Sequence, residues 1–290
     1  MKIADDYLKG VLEGTKTLLV DGAMGTTLQA KGLAVPGQLA DLLCLSDPES
    51  ITDIHRAYVE AGAHVATTNT FNANRSTLDK TGADATVAEI YAAAVACARA
   101  AQPRYVAADI GSTGQMLEPY GNLEHEDAYE LFAEQARAAQ DARADFILIE
   151  TIPDVTEAEI AIRAAKENAD LPVFASMTFE ENGRTLMGED VETATRRMEA
   201  AGADVVGINC SHGPQTLRAQ VATMIEAATK PVLAQPNAGL PALVDGQVVY
   251  RMGAAEFANA VKAILNDGAT VIGSCCGSTP EFTAELAKLL

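Results

Sequence analysis

The sequence is poor in positive charge. Its 290 residues hold 21 Lys and Arg against 40 Asp and Glu, which gives a formal net charge of −19 at pH 7. Nucleic-acid backbones and anionic membranes attract basic surfaces, so this balance argues against both as partners. The sequence also lacks an apolar run long enough to cross a bilayer, and its N-terminus lacks the charged-then-apolar pattern of a secretory signal. We therefore expect a cytoplasmic protein that binds neither nucleic acid nor membrane.

Histidine and cysteine are scarce as well. Four histidines without a cluster disfavour a barrel metal hydrolase or aldolase, because such enzymes hold a water-activating metal with His and carboxylate ligands. Five cysteines, an odd number, fit free thiols and metal ligands in a reducing compartment better than a disulfide framework. We interpret Cys44 and Cys97 as small buried hydrophobic side chains.

What the chain does contain is a regular alternation of short apolar segments and helical patterns. The predicted strands are 17–20, 65–70, 104–111, 145–151, 172–177, 204–210, 231–235 and 270–272. The predicted helices are 2–16, 49–61, 76–101, 126–142, 155–167, 191–201, 214–228 and 254–266, with a last helix opening at 278–280. Strands that are apolar throughout are buried on both faces, as in a parallel sheet covered by helices. Eight strands, each followed by a helix, predict a single-domain (β/α)₈ TIM barrel over residues 1–290.

Polar side chains recur where the predicted strands end. Active sites of this fold lie at the C-terminal ends of the strands, so we expect these side chains to converge on one mouth. They are Asp21, Asn69, Asp109, Glu150, Cys210, Asn237, Cys275 and Cys276. Residues 30–49 have no clear period and predict a long loop over the cavity.

Two adjacent cysteines stand in a glycine-rich turn between the last strand and the last helix. Side chains alternate faces along a strand, so Cys275 and Cys276 can converge only where the pleat breaks, and Gly277 gives the backbone that freedom. If the strand that ends at Cys210 faces the same cavity, three thiolates meet there. Three protein ligands with an open fourth position are typical of a catalytic zinc. A vicinal disulfide is the alternative, although it is strained and uncommon.

Seven short motifs resemble one known family. They are LVDGAMGT at 19–26, TNTF at 68–71, DIGSTG at 109–114, LIET at 148–151, GINC at 207–210, QPNAGLP at 235–241 and SCCGSTP at 274–280. Over nearly its whole length the chain resembles the homocysteine-binding domain of homocysteine S-methyltransferases. It is most similar to the barrel module of cobalamin-dependent methionine synthase, here standing alone. The Gly273-Ser274 pair and Ser112 depart from the family pattern.

The resemblance implies a zinc ion on Cys210, Cys275 and Cys276, where it would activate the thiol of homocysteine for methyl transfer to form methionine. It also implies that Asp21, Gly22 and Glu150 lie near the amino and carboxylate groups of the substrate, and that Asn237 lies close to the metal.

The chemistry of the site suggests how the substrate is held. We expect the carboxylates, including Asp109, to bind the substrate ammonium, while backbone N–H groups near Gly22 or Gly111 bind its carboxylate. His212 is either a neighbour of the thiolates, a spare ligand, or a surface or capping residue.

The methyl donor is the least defined part of the prediction. The motifs at 235–241 and 275–280 look more like the cobalamin-dependent branch, but the sequence shows no corrinoid-binding segment. We therefore expect a methyl-corrinoid (methylcobalamin) carried by a separate protein, which docks on the loops around Pro36, after Asp109 and after Met177. The alternatives are S-methylmethionine or betaine as the donor, another thiol as the acceptor, or a non-catalytic binder of thiols or of a corrinoid protein.

Overall fold

The computed structural model describes residues 1–34, 38–244 and 247–290. The strands in these ranges are β1 (Leu18–Leu19), β2 (Val65–Thr67), β3 (Tyr105–Ile110), β4 (Phe146–Ile152), β5 (Val173–Met177), β6 (Val205–Asn209), β7 (Val232–Gln235), β8 (Pro241–Val244), β9 (Gln247–Tyr250) and β10 (Val271–Ile272). The helices are α1 (Asp6–Leu12), α2 (Met24–Ala30), α3 (Leu43–Ser46), α4 (Pro48–Glu60), α5 (Arg75–Thr81), α6 (Val87–Ala100), α7 (His125–Asp141), α8 (Val155–Asn168), α9 (Val191–Ala201), α10 (Pro214–Ala227), α11 (Ala254–Asp267) and α12 (Pro280–Ala287). A 3₁₀ turn, Ala40–Leu42, precedes α3.

Eight of the strands form one parallel sheet in the order β1-β10-β7-β6-β5-β4-β3-β2. The last strand, β10, sits between the first and the seventh, with Val271 opposite both Leu18 and Leu233. The remaining two strands, β8 and β9, form a separate antiparallel hairpin after β7. This arrangement confirms the predicted single-domain (β/α)₈ barrel.

The seam between β1 and β2 is closed by side chains as well as by backbone. The N–H of His64 donates to the carbonyl of Leu19 at 2.9 Å, and the N–H of Leu19 donates to Nδ1 of His64 at 3.1 Å. Past the end of β1, the Asp21 carboxylate accepts the N–H of Thr67 at 2.8 Å and its hydroxyl at 2.7 Å. The carboxylate thus joins the first strand to the second at the C-terminal edge of the barrel.

The interior of the barrel is filled by large apolar side chains at the N-terminal ends of the strands. Phe146 and Phe174 stack there with ring centroids 4.3 Å apart, and Leu8 and Val11 of α1 pack beneath them as a plug. A larger apolar cluster lies between the outer faces of the strands and the surrounding helices. Because this packing fills one end of the barrel, open space is left at the other end.

The prediction of one helix over 76–101 is wrong, because the segment breaks into α5 and α6. Gly82 ends α5 in the left-handed region with φ 65°, where glycine carries no Cβ penalty. Thr86 then opens α6 with a capping box, exchanging hydrogen bonds with Glu89. Both signals are local, and the apolar period that runs through them hides the break.

The loop predicted over 30–49 is only partly irregular, since its described part contains the Ala40–Leu42 turn, α3 and the start of α4. Pro36 lies outside the described residues. The β8–β9 hairpin was not predicted. In the described ranges, every helix falls short of the length and apolarity that crossing a bilayer requires.

Candidate active site and metal centre

A cavity of about 400 Å³ opens at the C-terminal ends of the strands. Its lining includes Asp21, Gly22, Asn69, Asp109, Glu150, Cys210, Cys275 and Cys276. Eight of the residues singled out from the sequence therefore share one cavity. Asn237 is the exception among the predicted site residues, because it stands beside this lining rather than in it.

The three thiols of Cys210, Cys275 and Cys276 lie within 4.8 Å of one another. The Sγ atoms of Cys210 and Cys276 are 3.3 Å apart. Thiolates on a tetrahedral zinc with bonds of about 2.3 Å lie roughly 3.8 Å apart, so the donor set fits such an ion. All five cysteines are free thiols. His212 does not belong to the 4.8 Å group of described ligand atoms.

Backbone hydrogen bonds from neighbouring loops hold the two cysteine turns in place. The 236–238 loop accepts the N–H of Cys275 at 2.8 Å through Pro236 and donates the N–H of Ala238 to the carbonyl of Cys276 at 2.9 Å. Cys210 adopts φ 50°, a rare conformation for a residue with a side chain. This backbone turns its thiol towards the other two instead of leaving it on the strand.

Gly277 meets an aromatic ring from the hairpin. Its φ is 82°, and a Cβ built there would lie 2.1 Å from Cγ of Tyr250. Any side chain at this position would displace the ring. The glycine that breaks the pleat is therefore also the contact point between the cysteine turn and the β8–β9 hairpin.

Three carboxylates line the same cavity as the thiols; those of Asp21 and Asp109 are buried, and that of Glu150 is half-buried. Burial raises the pKa of Asp21 to about 7, although hydrogen bonds from Thr67 lower it. Burial, with the charges of Asp21 and Cys276 adding to it, raises the pKa of Glu150 to about 8. Burial and the neighbouring Glu150 raise the pKa of Asp109 well above its usual range. Among the described residues, no Lys or Arg side chain lines the cavity to offset these carboxylates.

Several oxygen atoms around the site are buried without a hydrogen-bond partner among the described residues. They are Oδ1 of Asp109, Oε1 of Gln235, Oδ1 of Asn237 and Oγ of Ser274. The amide oxygens of Gln235 and Asn237 can only accept hydrogen bonds. Burying such atoms unpaired is costly, so the site is built for a ligand that donates hydrogen bonds.

Two glycines were expected near the substrate carboxylate, and the structure bears on them differently. The N–H of Gly111 donates to the carbonyl of Phe71 at 3.1 Å, so it is not free to bind a substrate carboxylate. A Cβ at Gly22 would lie 2.8 Å from the hydroxyl oxygens of both Ser274 and Ser278. Gly22 thus permits close packing of the first strand end against the last, and its contact with substrate stays a prediction.

Asn237 and His212 belong to the frame of the thiol cluster. The N–H of Asn237 donates to the carbonyl of His212 at 3.0 Å, which ties the loop after β7 to the turn after Cys210. Asn69 has a comparable bridging role, because its amide donates to the carbonyl of Ala40 at 2.8 Å and holds the segment before α3 on the cavity.

The sequence analysis missed several polar residues of this region. Asp41, Thr67 and Gln235 line the cavity, and Asn209 lies fully buried next to Cys210. Asn209 stood in the GINC motif, and Gln235 in QPNAGLP, so both could have been singled out. Asp41 could not, because it lies inside a segment without a recognisable period.

Comparisons with known proteins assign the chain to a family. The family model described as homocysteine S-methyltransferase matches residues 18–290. The chain belongs to the homocysteine S-methyltransferase family. Methionine synthase of Mycobacterium tuberculosis is 31% identical over 291 aligned residues, which cover 94% of this chain and 24% of that protein. Methionine synthase of Mycobacterium leprae is 30% identical with the same coverage. The chain thus spans about a quarter of the length of these relatives.

Solved structures of a family member share the fold. The oxidized form of the homocysteine methyltransferase MmuM from Escherichia coli superposes with a TM-score of 0.82 at 23% identity, covering 98% of this chain and 99% of that one. Its metallated form gives a TM-score of 0.81 at the same identity, covering 97% and 99%. At this level of identity the likeness supports the architecture alone.

Proposed function

We propose that the protein is a zinc-dependent homocysteine S-methyltransferase that forms methionine. One observation carries the proposal: three convergent thiols and three carboxylates share a single cavity, which no described Lys or Arg side chain lines, in a chain of this family. The thiols suit a soft metal ion, and the carboxylates suit an ammonium group. Homocysteine presents a thiol and an ammonium on one small molecule, and it matches both halves of the cavity.

Cys210, Cys275 and Cys276 would hold the zinc ion. When bound, zinc supplies the positive charge that keeps a substrate thiol deprotonated at neutral pH, where a free alkyl thiol with a pKa near 8.5 is mostly protonated. The chain keeps these three side chains aligned through the 236–238 loop and through the turned backbone of Cys210.

Asp21, Asp109 and Glu150 would bind the substrate ammonium. Burial raises the pKa values of all three, and an ammonium beside them would favour their ionised forms. The acceptor atoms of Gln235 and Asn237 supply further partners for a donor group. We propose that these contacts select an amino-acid thiol and orient it towards the cysteines.

The methyl donor is proposed to be a methyl-corrinoid carried by a separate protein that docks on the loops around the mouth. Among the described residues, the exposed large apolar side chains other than the terminal Met1 and Leu290 all lie in segments that connect a barrel strand to the next barrel helix. They are Leu45 in α3, Met116, Tyr120, Leu186, Leu240 and Val249 in β9. Exposed apolar side chains of this kind are candidates for a docking surface. Two of the loops, after Asp109 and after Met177, are those predicted to dock the partner.

A methyl-transfer assay tests the proposal. Purified, zinc-loaded protein is given L-homocysteine with a methylated corrinoid protein, free methylcobalamin, S-methylmethionine or betaine, and methionine is measured. We expect methionine from the corrinoid protein and slow turnover on free methylcobalamin, with L-cysteine as a control acceptor that is one methylene too short. Methionine formed mainly from S-methylmethionine or betaine would replace the donor while keeping zinc and homocysteine. Absence of methionine with every donor would favour a non-catalytic binder.

A further inference from the structure

Strand β4 carries an irregularity at the residue that faces the cavity. Ile149 pairs with Ala175 of β5, but Ile152 pairs with Met177, so β4 uses one more residue than β5 over this stretch. The extra length falls at Glu150 and Thr151. Thr151 has φ 62°, and such a conformation is an outlier for a β-branched residue because its Cβ crowds the backbone. A strained corner of this kind persists only where its surroundings hold it.

The side chain of Asn209 contacts both residues of this corner. Its Oδ1 accepts the N–H of Thr151 at 2.8 Å, which is the donor that the irregular pairing removes from the ladder. Its Nδ2 donates to the Thr151 hydroxyl at 2.7 Å and lies 3.4 Å from Oε2 of Glu150. Ser176 of β5 donates its hydroxyl to the same Oδ1 at 2.9 Å. The amide of a single, fully buried side chain thus bridges β6, β5 and β4.

The geometry points to Asn209 as a positioning residue for substrate recognition. Its amide holds the Glu150–Thr151 corner so that the Glu150 carboxylate stays in the cavity and faces the thiols. The residue that follows Asn209 is Cys210. One stretch of backbone therefore positions both the proposed metal ligand Cys210 and, through the side chain of Asn209, the Glu150 carboxylate. The distance between the two recognition elements is thereby fixed. This inference rests on the proposed function, because it assumes that Glu150 binds the substrate ammonium.

An amide is the side chain that meets these requirements. The corner offers one donor, the Thr151 N–H, and two acceptors, the Thr151 hydroxyl and the Glu150 carboxylate, and only a group with both kinds of atom serves them. A carboxylate at position 209 would keep the acceptor for Thr151 but would place a second negative charge beside Glu150. Asn209→Asp has almost the same shape as the wild type. It should keep the hydrogen bond to the Thr151 N–H and lose the one to the Glu150 carboxylate, so it separates the two contacts.

The first measurement needs no substrate. Hydrogen exchange of the Thr151 amide, followed by NMR, should be slow in the wild type and in Asn209→Asp, and clearly faster in Asn209→Ala. Ser176→Ala is the matched control, since it removes a partner of the same oxygen and leaves the Thr151 bond in place. Equal Thr151 exchange in wild type and Asn209→Ala would overturn the inference. This readout stands even if the wild type fails to bind homocysteine, an outcome that would count against the proposed function instead.

The second measurement is a double-mutant cycle on L-homocysteine binding to zinc-loaded protein by calorimetry. Asn209→Ala should weaken binding by about tenfold or more, as expected for a lost charge-assisted contact, with zinc content unchanged. Combined with Glu150→Gln, it should add little, because Asn209 acts through Glu150. Asn209→Asp should weaken binding while Thr151 stays protected. Fully additive losses, or unaltered affinity in Asn209→Ala, would show that Asn209 only fills the core.

Discussion

Carboxylates at the two ends of the barrel have pKa values shifted in opposite directions. At the N-terminal end, Asp5 caps α1 through the N–H of Leu8 and also accepts the hydroxyl of Tyr105. Desolvation acts to raise the pKa of Asp5, but hydrogen bonds from Tyr105, Leu8 and Arg104 hold it below its usual value. At the mouth, burial and the neighbouring charges of Asp21 and Cys276 raise the pKa of Glu150 to about 8. Asp5 thus finds its partners within the chain, whereas Glu150 lines a cavity in which a ligand could supply one.

This difference shows how stability and function are divided within one fold. The aromatic and aliphatic plug beneath the mouth stabilises the barrel. The mouth can therefore tolerate unpaired hydrogen-bond acceptors and residues with positive φ. Active sites of this fold lie at the C-terminal face for the same reason. Variants at each end of the barrel test whether stability and function are separate.

The largest effect is expected from the metal ligands. In Cys276→Ser the zinc content should fall from about one ion per chain to nearly none, since a hydroxyl is a much poorer ligand than a thiolate. Methyl transfer should be lost while the barrel stays folded by circular dichroism. Cys97→Ala is the matched control, because this buried cysteine lies outside the cluster and its loss should leave zinc in place. Full zinc occupancy in Cys276→Ser would remove the metal centre from the proposal.

The opposite test removes part of the plug. Phe174→Ala should lower the free energy of unfolding by about 3–5 kcal/mol, as for other buried Phe residues replaced by Ala. Urea titration measures this loss, and Phe174→Leu should show a smaller one. Zinc content and homocysteine affinity of the folded fraction should stay near the wild-type values. Loss of zinc in Phe174→Leu would mean that the two ends are coupled.

A smaller effect is expected from Glu150→Gln. The change removes a charge-assisted hydrogen bond to the substrate ammonium, worth about 1.5–3 kcal/mol. Calorimetry should show weaker binding of L-homocysteine with the same zinc content. Glu159→Gln, which alters an ion pair with Arg197 on the outside of the barrel, is the control with unchanged affinity. If Glu150→Gln binds as tightly as the wild type, Glu150 does not contact the substrate.

The smallest expected effect is the release of protons when a ligand binds. The raised pKa values of about 7 for Asp21 and about 8 for Glu150 mean that the empty mouth binds protons near neutrality. An ammonium favours the ionised forms, so ligand binding should release protons, and affinity should fall as the pH drops from about 8 to about 6. L-methionine is the suitable ligand, because its thioether has no proton to lose. Calorimetry in buffers of different ionisation enthalpy measures the release, which should shrink in Glu150→Gln.

The same shifts carry a stability consequence for the free protein. The usual values of 3.8 for Asp21 and 4.5 for Glu150 lie below the folded ones. The contribution of these groups to the free energy of unfolding is therefore fully present below about pH 4. It is lost as the pH rises through about 7 to 8. Stability that is insensitive to pH between about 5 and 8, in wild type and Glu150→Gln alike, would contradict uncompensated carboxylates.

Much of the barrel could be predicted because each strand, and the helix after it, has a recognisable pattern in its own residues. The apolar runs at 145–151 and 172–177 correspond to β4 and β5 within one or two residues, since a strand buried on both faces needs an uninterrupted apolar stretch. The position of Cys210 at the end of β6 followed in the same way. The family motifs then indicated which strand ends carry chemistry.

Features that depend on two distant strands could not be predicted. The role of Asn209 requires the irregular pairing between β4 and β5, and neither strand shows it in its own residues. The hairpin contact of Tyr250 on Gly277 joins segments whose approach is set by the whole barrel. The break between α5 and α6 was missed for another reason, because a continuing apolar period outweighed the glycine and the capping box.

The closure of the barrel by Asp21 has an evolutionary consequence. The same carboxylate fastens the first strand to the second through Thr67 and lines the cavity at the mouth, where we propose that substrate binds. A mutation at this position is therefore exposed to selection twice, once through folding and once through activity. A descendant of this chain that acquires a new substrate should change the end of β4 or the loop after β7 first, and position 21 should be among the last to vary.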